Sequence, residues 1–152
     1  MRALNRRAFS LIELVIVVVI IGIIAAIAIP RMSRGATGAA ENSLRANLAL
    51  LRNAIELFQT ENGGTYPAVG GLAQALTGFS DGNGGTQAYG TGVRPGGHPY
   101  GPYLREIPKL GIGSNKDFNT FGAAAAAGTA WVYTAASGDV KANTGNATYD
   151  SW

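Results

Sequence analysis

Glu13 is the one charged residue in a stretch that otherwise stays uncharged from Phe9 to Ile29. An ionised carboxylate inside a bilayer costs roughly 2.5 to 3.5 kcal/mol on insertion scales, so an acid placed there is a functional candidate by default. The chemistry open to it is ion pairing: a cation brought alongside lowers the cost of burying either charge. Other reactive side chains are sparse. The single histidine, His98, sits in Gly96-Gly97-His98-Pro99, and the chain has no cysteine. No serine lies in an elbow pattern before a helix, and Gly82-Asn83-Gly84-Gly85 lacks the lysine and hydroxyl residue of a phosphate loop. Catalysis is therefore not expected of this chain. Asp117, Asp139 and Asp150 are too scattered to read as an oxygen-ligand loop, since calcium takes about 6 to 8 oxygens. They are expected to be solvated turn residues.

The element that must carry Glu13 is a membrane span. Residues 9–29 would form a helix about 31 Å long at roughly 1.5 Å per residue, which matches a hydrocarbon core of about 30 Å. Residues 14–29 hold no polar side chain and are rich in Val and Ile, which suit lipid better than a water-exposed helix. Arg2, Arg6 and Arg7 precede the span and Arg31 and Arg34 follow it, a small balance in favour of a cytoplasmic N-terminus. A secretory signal peptide cut after Ala26-Ile27-Ala28 is the ordinary alternative. It fits less well, because the uninterrupted apolar core exceeds the usual length of about 7 to 15 residues and cleavage would leave Ile29-Pro30 at the new start.

A basic leader ending in a small residue, then Phe9-Ser10-Leu11-Ile12-Glu13-Leu14, an apolar run and Pro30 together resemble the N-terminal signature of type IV pilins and type II secretion pseudopilins. The resemblance implies that a membrane prepilin peptidase cuts between Ala8 and Phe9, that the new Phe9 amine is methylated, and that Phe9 and Glu13 serve subunit assembly. Ala8 departs from the pattern, which normally has Gly. Cleavage at Phe9 would expose an α-amino group with a pKa near 7.7 to 8.0, largely cationic, and methylation would keep that charge. A neighbouring subunit's Glu13 could pair with it and so select an axial offset between copies. A local reading stands beside this one: Ser10 and Glu13 match a Ser-x-x-Glu capping box, which accounts for Glu13 but leaves the leader, Phe9 and Pro30 unexplained.

Charge agrees with a targeting role for the leader. Setting aside Arg2, Arg6 and Arg7 lowers the 12 basic residues to parity with the 9 acidic ones. The high isoelectric point therefore gives no support for nucleic-acid binding, and Arg94, Tyr100, Tyr103, Arg105 and Lys109, with Glu106 beside them, are expected to be solvated loop residues.

Beyond the span, Pro30 with Gly35 and Gly38 predicts a kink or partial melting. A helix then resumes, with Leu44, Leu48, Leu51, Ile55 and Phe58 forming one apolar stripe, Glu41, Arg45, Arg52 and Glu56 lying off it, and Asn62-Gly63-Gly64 supplying the stop. The stripe is expected to be the core face of a small head. Residues 63–152 hold 19 of the 22 glycines, which predicts loops and short strands too thin in core to stand without the helix. Within them, 78–101 reads as a long Gly-rich loop, and the alanines bracketed by Gly122 and Gly128 read as either a helical turn or a linker. Residues 130–143 predict an antiparallel hairpin whose Trp131 and Tyr133 face packs on the helix. Trp152 is expected either to dock back or to contact a neighbour.

The expected fold is α+β and pilin-like: leader 1–8, transmembrane and assembly segment 9–29, amphipathic continuation 30–62, and a head over 63–152 with a small antiparallel sheet. Tyr66-Pro67, Gly71-Leu72, Leu76, Gly101-Pro102-Tyr103-Leu104 and Pro108 resemble the major pseudopilin of type II secretion. That family's aspartate-bearing calcium loop is not matched by Lys109-Leu110-Gly111-Ile112-Gly113-Ser114-Asn115-Lys116-Asp117, so no cofactor is carried over. What the resemblance implies is an inner-membrane protein, head in the periplasm, that polymerises with itself and with other pseudopilins. An assembly platform and an ATPase would drive growth, and export across the outer membrane would follow. A surface pilus subunit for adhesion, motility or DNA uptake, or a membrane-anchored binding domain that never polymerises, are the alternatives.

Overall fold

The computed structural model describes residues 9–88 and 96–152, with the backbone alone at 30–34. The chain divides into two units that meet between Ala39 and Ala40. In the first, helix α1, Leu11–Glu61, begins with a stretch, Leu11–Ile29, long and apolar enough to cross a membrane. Its Val and Ile side chains are exposed, as expected of a surface whose solvent is lipid. The backbone stays helical through Pro30, Gly35 and Gly38, where a kink or partial melting was expected. A single proline deletes one donor, and cooperative propagation on both sides holds the remaining ladder.

The second unit is built on the last part of the same helix. Leu44, Leu48, Leu51, Ile55 and Phe58 are each at most 2% exposed, so the whole predicted stripe lies in the core. The helix stops as its glycines require: Gly63 (φ 65°) and Gly64 (φ 80°) adopt the left-handed region, and Gly64 N–H donates to Gln59 O at 2.9 Å. A 3₁₀ turn, Val69–Gly71, and helix α2, Leu72–Thr77, then lay Leu72, Ala75 and Leu76 onto the stripe.

Two small sheets complete the α+β fold. Strands β1, Phe79–Ser80, and β2, Thr86–Gln87, pair antiparallel, and Ser80 also bridges Tyr100. The expected loop over 78–101 is thus partly a hairpin, and 89–95 lie outside the described residues. The Asp81 carboxylate makes the turn by accepting Asn83 N–H at 2.8 Å and Gly85 N–H at 2.9 Å, and the Asn83 bond above all holds its pKa below the ordinary carboxylate value. Beneath it, buried Asn62 donates to Phe58 O and Ser80 Oγ, tying the helix end to β1.

The second sheet has the order β3-β4-β5, with β3 Phe121–Gly122, β4 Trp131–Thr134 and β5 Asp139–Ala142. The predicted hairpin is β4 with β5, antiparallel, Trp131 opposite Ala142 and Thr134 opposite Asp139. Gly138, at φ 72°, closes the turn, where an added Cβ would fall 2.2 Å from the Tyr66 ring. Strand β3 runs parallel to β4, so this sheet is mixed where an antiparallel one was expected. Residues 123–127 form no helix; Thr129 N–H donates to Ala126 O at 3.1 Å, and Asn143 Nδ2 donates to Ala126 O and Thr129 O, each at 2.9 Å, which ties the loop to the end of β5.

Trp131 and Tyr133 are fully buried against the helical stripe. The Tyr133 hydroxyl donates to Pro67 O at 3.0 Å, and burial, with a smaller influence from Tyr66, pushes its pKa up to about 12. The fold therefore keeps a proton that the unfolded chain releases near pH ~10. Stability from this group is complete below pH ~10 and is lost as pH rises toward about 12. Denaturant midpoints of the full chain in detergent should fall across that window, and Tyr133→Phe should flatten the fall; an unchanged slope would rule out this origin.

Candidate membrane and assembly site

At the start of α1, Ser10 stands just before the helix and Glu13 is its third residue, so their spacing brings a carboxylate back over the first turn. Glu13 Oε2 accepts the Ser10 backbone N–H at 2.9 Å, which is the glutamate half of a capping box. The carboxylate also sits at the positive end of the helix dipole. Around it Phe9 is 88% exposed and Leu11 80%, so the chain's own fold shields neither the acid nor its apolar neighbours. Phe9 and Glu13 thus share one helix end, while Ala8 and the rest of the leader lie outside the described residues. At Gly35 and Gly38 an added Cβ would meet nothing within 4 Å, so packing within this chain does not explain them.

The remaining candidates are dispersed. Asp150 Oδ1 accepts from Thr144 N–H at 2.6 Å and Thr144 Oγ1 at 2.7 Å, closing the loop that follows β5. Asp139 lies 3.8 Å from Lys141, and Asp117 takes a left-handed conformation at φ 71°. Among the described residues no group of three or more His, Cys, Asp or Glu could hold a metal ion. His98 is half-buried in its loop. Tyr103 belongs to the core, edge-on to Phe58 at 5.7 Å, and its hydroxyl meets Asn62 and Ser80; Arg94 lies outside the described residues.

A second cluster was not legible as a unit. Glu41, Arg45 and Arg52, set aside above as off-stripe charges, receive the C-terminal segment that includes helix α3, Ala147–Asp150. Tyr149 hydroxyl donates to Glu41 at 2.8 Å, the Arg45 guanidinium lies 4.1 Å over the Trp152 ring, and Arg52 donates to Val140 O at 3.1 Å and to Trp152 O. Trp152 therefore docks back, edge-on to Tyr149 at 5.1 Å. The signal was the placement of these charges along one flank of the stripe, where long side chains can cover apolar surface while reaching polar partners.

Residues 4–29 match the family model described as the prokaryotic N-terminal methylation motif, which encloses Ala8, Phe9, Glu13 and the apolar run. No curated protein and no solved structure gives a significant match to the chain.

Proposed function

We propose, from a chain whose N-terminal motif supports a type IV pilin-like, membrane-anchored protein, that this is a structural subunit of a type II secretion pseudopilus. A prepilin peptidase removes the leader between Ala8 and Phe9, and the Phe9 amine is methylated. The subunit waits in the inner membrane, N-terminus toward the cytoplasm, until an assembly platform and its ATPase extract it. Its apolar helix then exchanges lipid for the helices of neighbouring copies. The pairing of the Phe9 ammonium with Glu13 of an adjoining subunit sets the axial register. It contributes by removing the cost of a lone buried charge, roughly 2.5 to 3.5 kcal/mol. The chain catalyses nothing and needs no cofactor; its product is a filament.

The observation that carries this reading is an acid at the third position of a membrane-length helix whose partner among the described residues is Ser10 N–H. The head motifs at Tyr66-Pro67 and Gly101-Pro102-Tyr103-Leu104 favour a pseudopilus. Intact mass spectrometry of the membrane-extracted protein should read a chain that starts at Phe9 and carries one methyl group. A chain that begins at Met1 or at Ile29 would sink the proposal, and long surface fibres in electron micrographs would move it to a pilus.

A further inference from the structure

We infer that the two ends of the head are mates, the loop knob at Lys116 and Phe118 of one copy seating in the groove beside Leu57, Tyr100 and Glu61 of the next. This rests on the filament reading above and adds to it the contact between heads.

The groove, about 300 Å³, is lined by Leu57, Glu61, Pro99, Tyr100, Pro102 and Tyr103. Leu57 is 49% exposed, and Leu50, two helical turns earlier, is 47% exposed, so two large apolar side chains stand out from the outside of the helix with exposed Asn53 between them. The core stripe on the opposite side of the same helix is almost wholly buried. Among the described residues the groove carries one acid. Glu61 lies in its wall, and Gly82 sits against the Tyr100 ring.

The knob is its complement. Phe118 is 46% exposed although its backbone is held, with Leu110 N–H donating to Phe118 O at 2.8 Å and Asp117 N–H to Leu110 O at 2.8 Å. A large apolar side chain on a fixed loop loses little freedom when it docks. Exposed Lys109 and Lys116 flank it, with Asp117 between them and the aromatic ring. Among the described residues the ion pair is Lys141 with Asp139, so Lys109, Lys116 and Glu61, the last hydrogen-bonded to Tyr103, bring charge of opposite sign to the two surfaces.

Position decides the symmetry. Asn47 Nδ2 donates to Lys109 O at 3.3 Å, which fixes the base of the knob loop beside Asn47. Leu57 lies ten residues further along α1, about 15 Å at ~1.5 Å per residue. Knob and groove therefore occupy different levels of one head. Contact between unlike patches on identical copies is heterologous, and without closure it propagates as an open helix.

The native chain has no cysteine, which makes cross-linking a clean test. Full-length protein carrying Leu57→Cys and Phe118→Cys, assembled in its filament-forming cell and mildly oxidised, should give a ladder of covalent multimers on a denaturing gel. Either single variant should stay monomeric, since a disulfide needs Cα atoms within about 7 Å. In that double-cysteine background, Glu61→Lys or Lys116→Glu should each cut ladder yield about fivefold, and the two together should restore it. Lysine is favoured at a helix C-terminus, so Glu61→Lys leaves the fold intact. Filaments seen by electron microscopy without a ladder would overturn the head contact and leave the filament reading standing. If the cysteine-free parent forms no filaments, both fall.

Discussion

Glu13→Val should abolish filament assembly while the protein still inserts in the membrane and its head still folds. Valine makes the span more apolar, so insertion gains, and the core of the head is built from residues 44–142, in the other unit of the chain. On the proposed pairing, what is lost is the anion that would offset a buried ammonium. A penalty of roughly 2.5 to 3.5 kcal/mol per unpaired charge corresponds to about 70- to 400-fold in subunit addition. Glu13→Gln separates the two roles of the carboxylate. Glutamine serves a capping box as glutamate does, so it keeps the bond to Ser10 N–H but carries no charge. If the ion pair governs assembly, Gln and Val fail alike; if the cap governs it, Gln assembles normally. Sheared filament yield from cells making each variant at equal membrane levels is the measurement. Normal yield from both would refute the pairing.

Trp131→Ala should unfold much of the head. The indole is fully buried at the start of β4, and its Nε1 donates to Pro108 O at 2.9 Å. Truncating a buried aromatic costs about 3 to 5 kcal/mol, and the stranded carbonyl adds about 1 kcal/mol or more. Against a typical domain stability of about 5 to 15 kcal/mol, a loss of about 4 to 6 kcal/mol is a large share of the margin. At about 4 to 8 °C per kcal/mol for a domain of ~100 residues, melting should fall by roughly 16 to 48 °C. Circular dichroism of the full chain in detergent would show this above the signal of the membrane helix. Trp131→Phe, which keeps most of the bulk, should lose markedly less. A fall of only a few degrees for alanine would mean that the cavity collapses or that Trp131 is not the keystone of the sheet.

The long-range features with one strong periodic cause were legible in the sequence. The span, the buried stripe from Leu44 to Phe58 and the β4-β5 hairpin each repeat a single physical preference over many residues, and all three stand in the structure. The shorter pieces were not. Strands β1 and β2 have two residues each, too few to show alternation, and their turn depends on one carboxylate accepting two backbone N–H groups. Strand β3 pairs parallel with β4 through a loop whose carbonyls rely on Asn143, a partner no local pattern announces. The continuation of the helix past Pro30 was legible, while the partial melting allowed there was not needed because propensity weighs one residue at a time and propagation does not. At the assembly site, Glu13 was found from its cost in lipid, and the bond to Ser10 from a motif. Glu41, Arg45 and Arg52 were seen only as solvent-facing charges, since their partners arrive from some hundred residues later.

The Arg52 guanidinium on Val140 O has a bearing on what the heads avoid. Strand β5 is an outer strand of its sheet, a place where another chain could add on by hydrogen bonding. One of its carbonyls is already occupied by a guanidinium, and Asp139 and Lys141 put charge along the same strand. Strand addition on that side would have to strip an arginine and desolvate two ions. Crowded copies are thus steered away from amyloid-like stacking, and side-chain surfaces are left to decide how they meet.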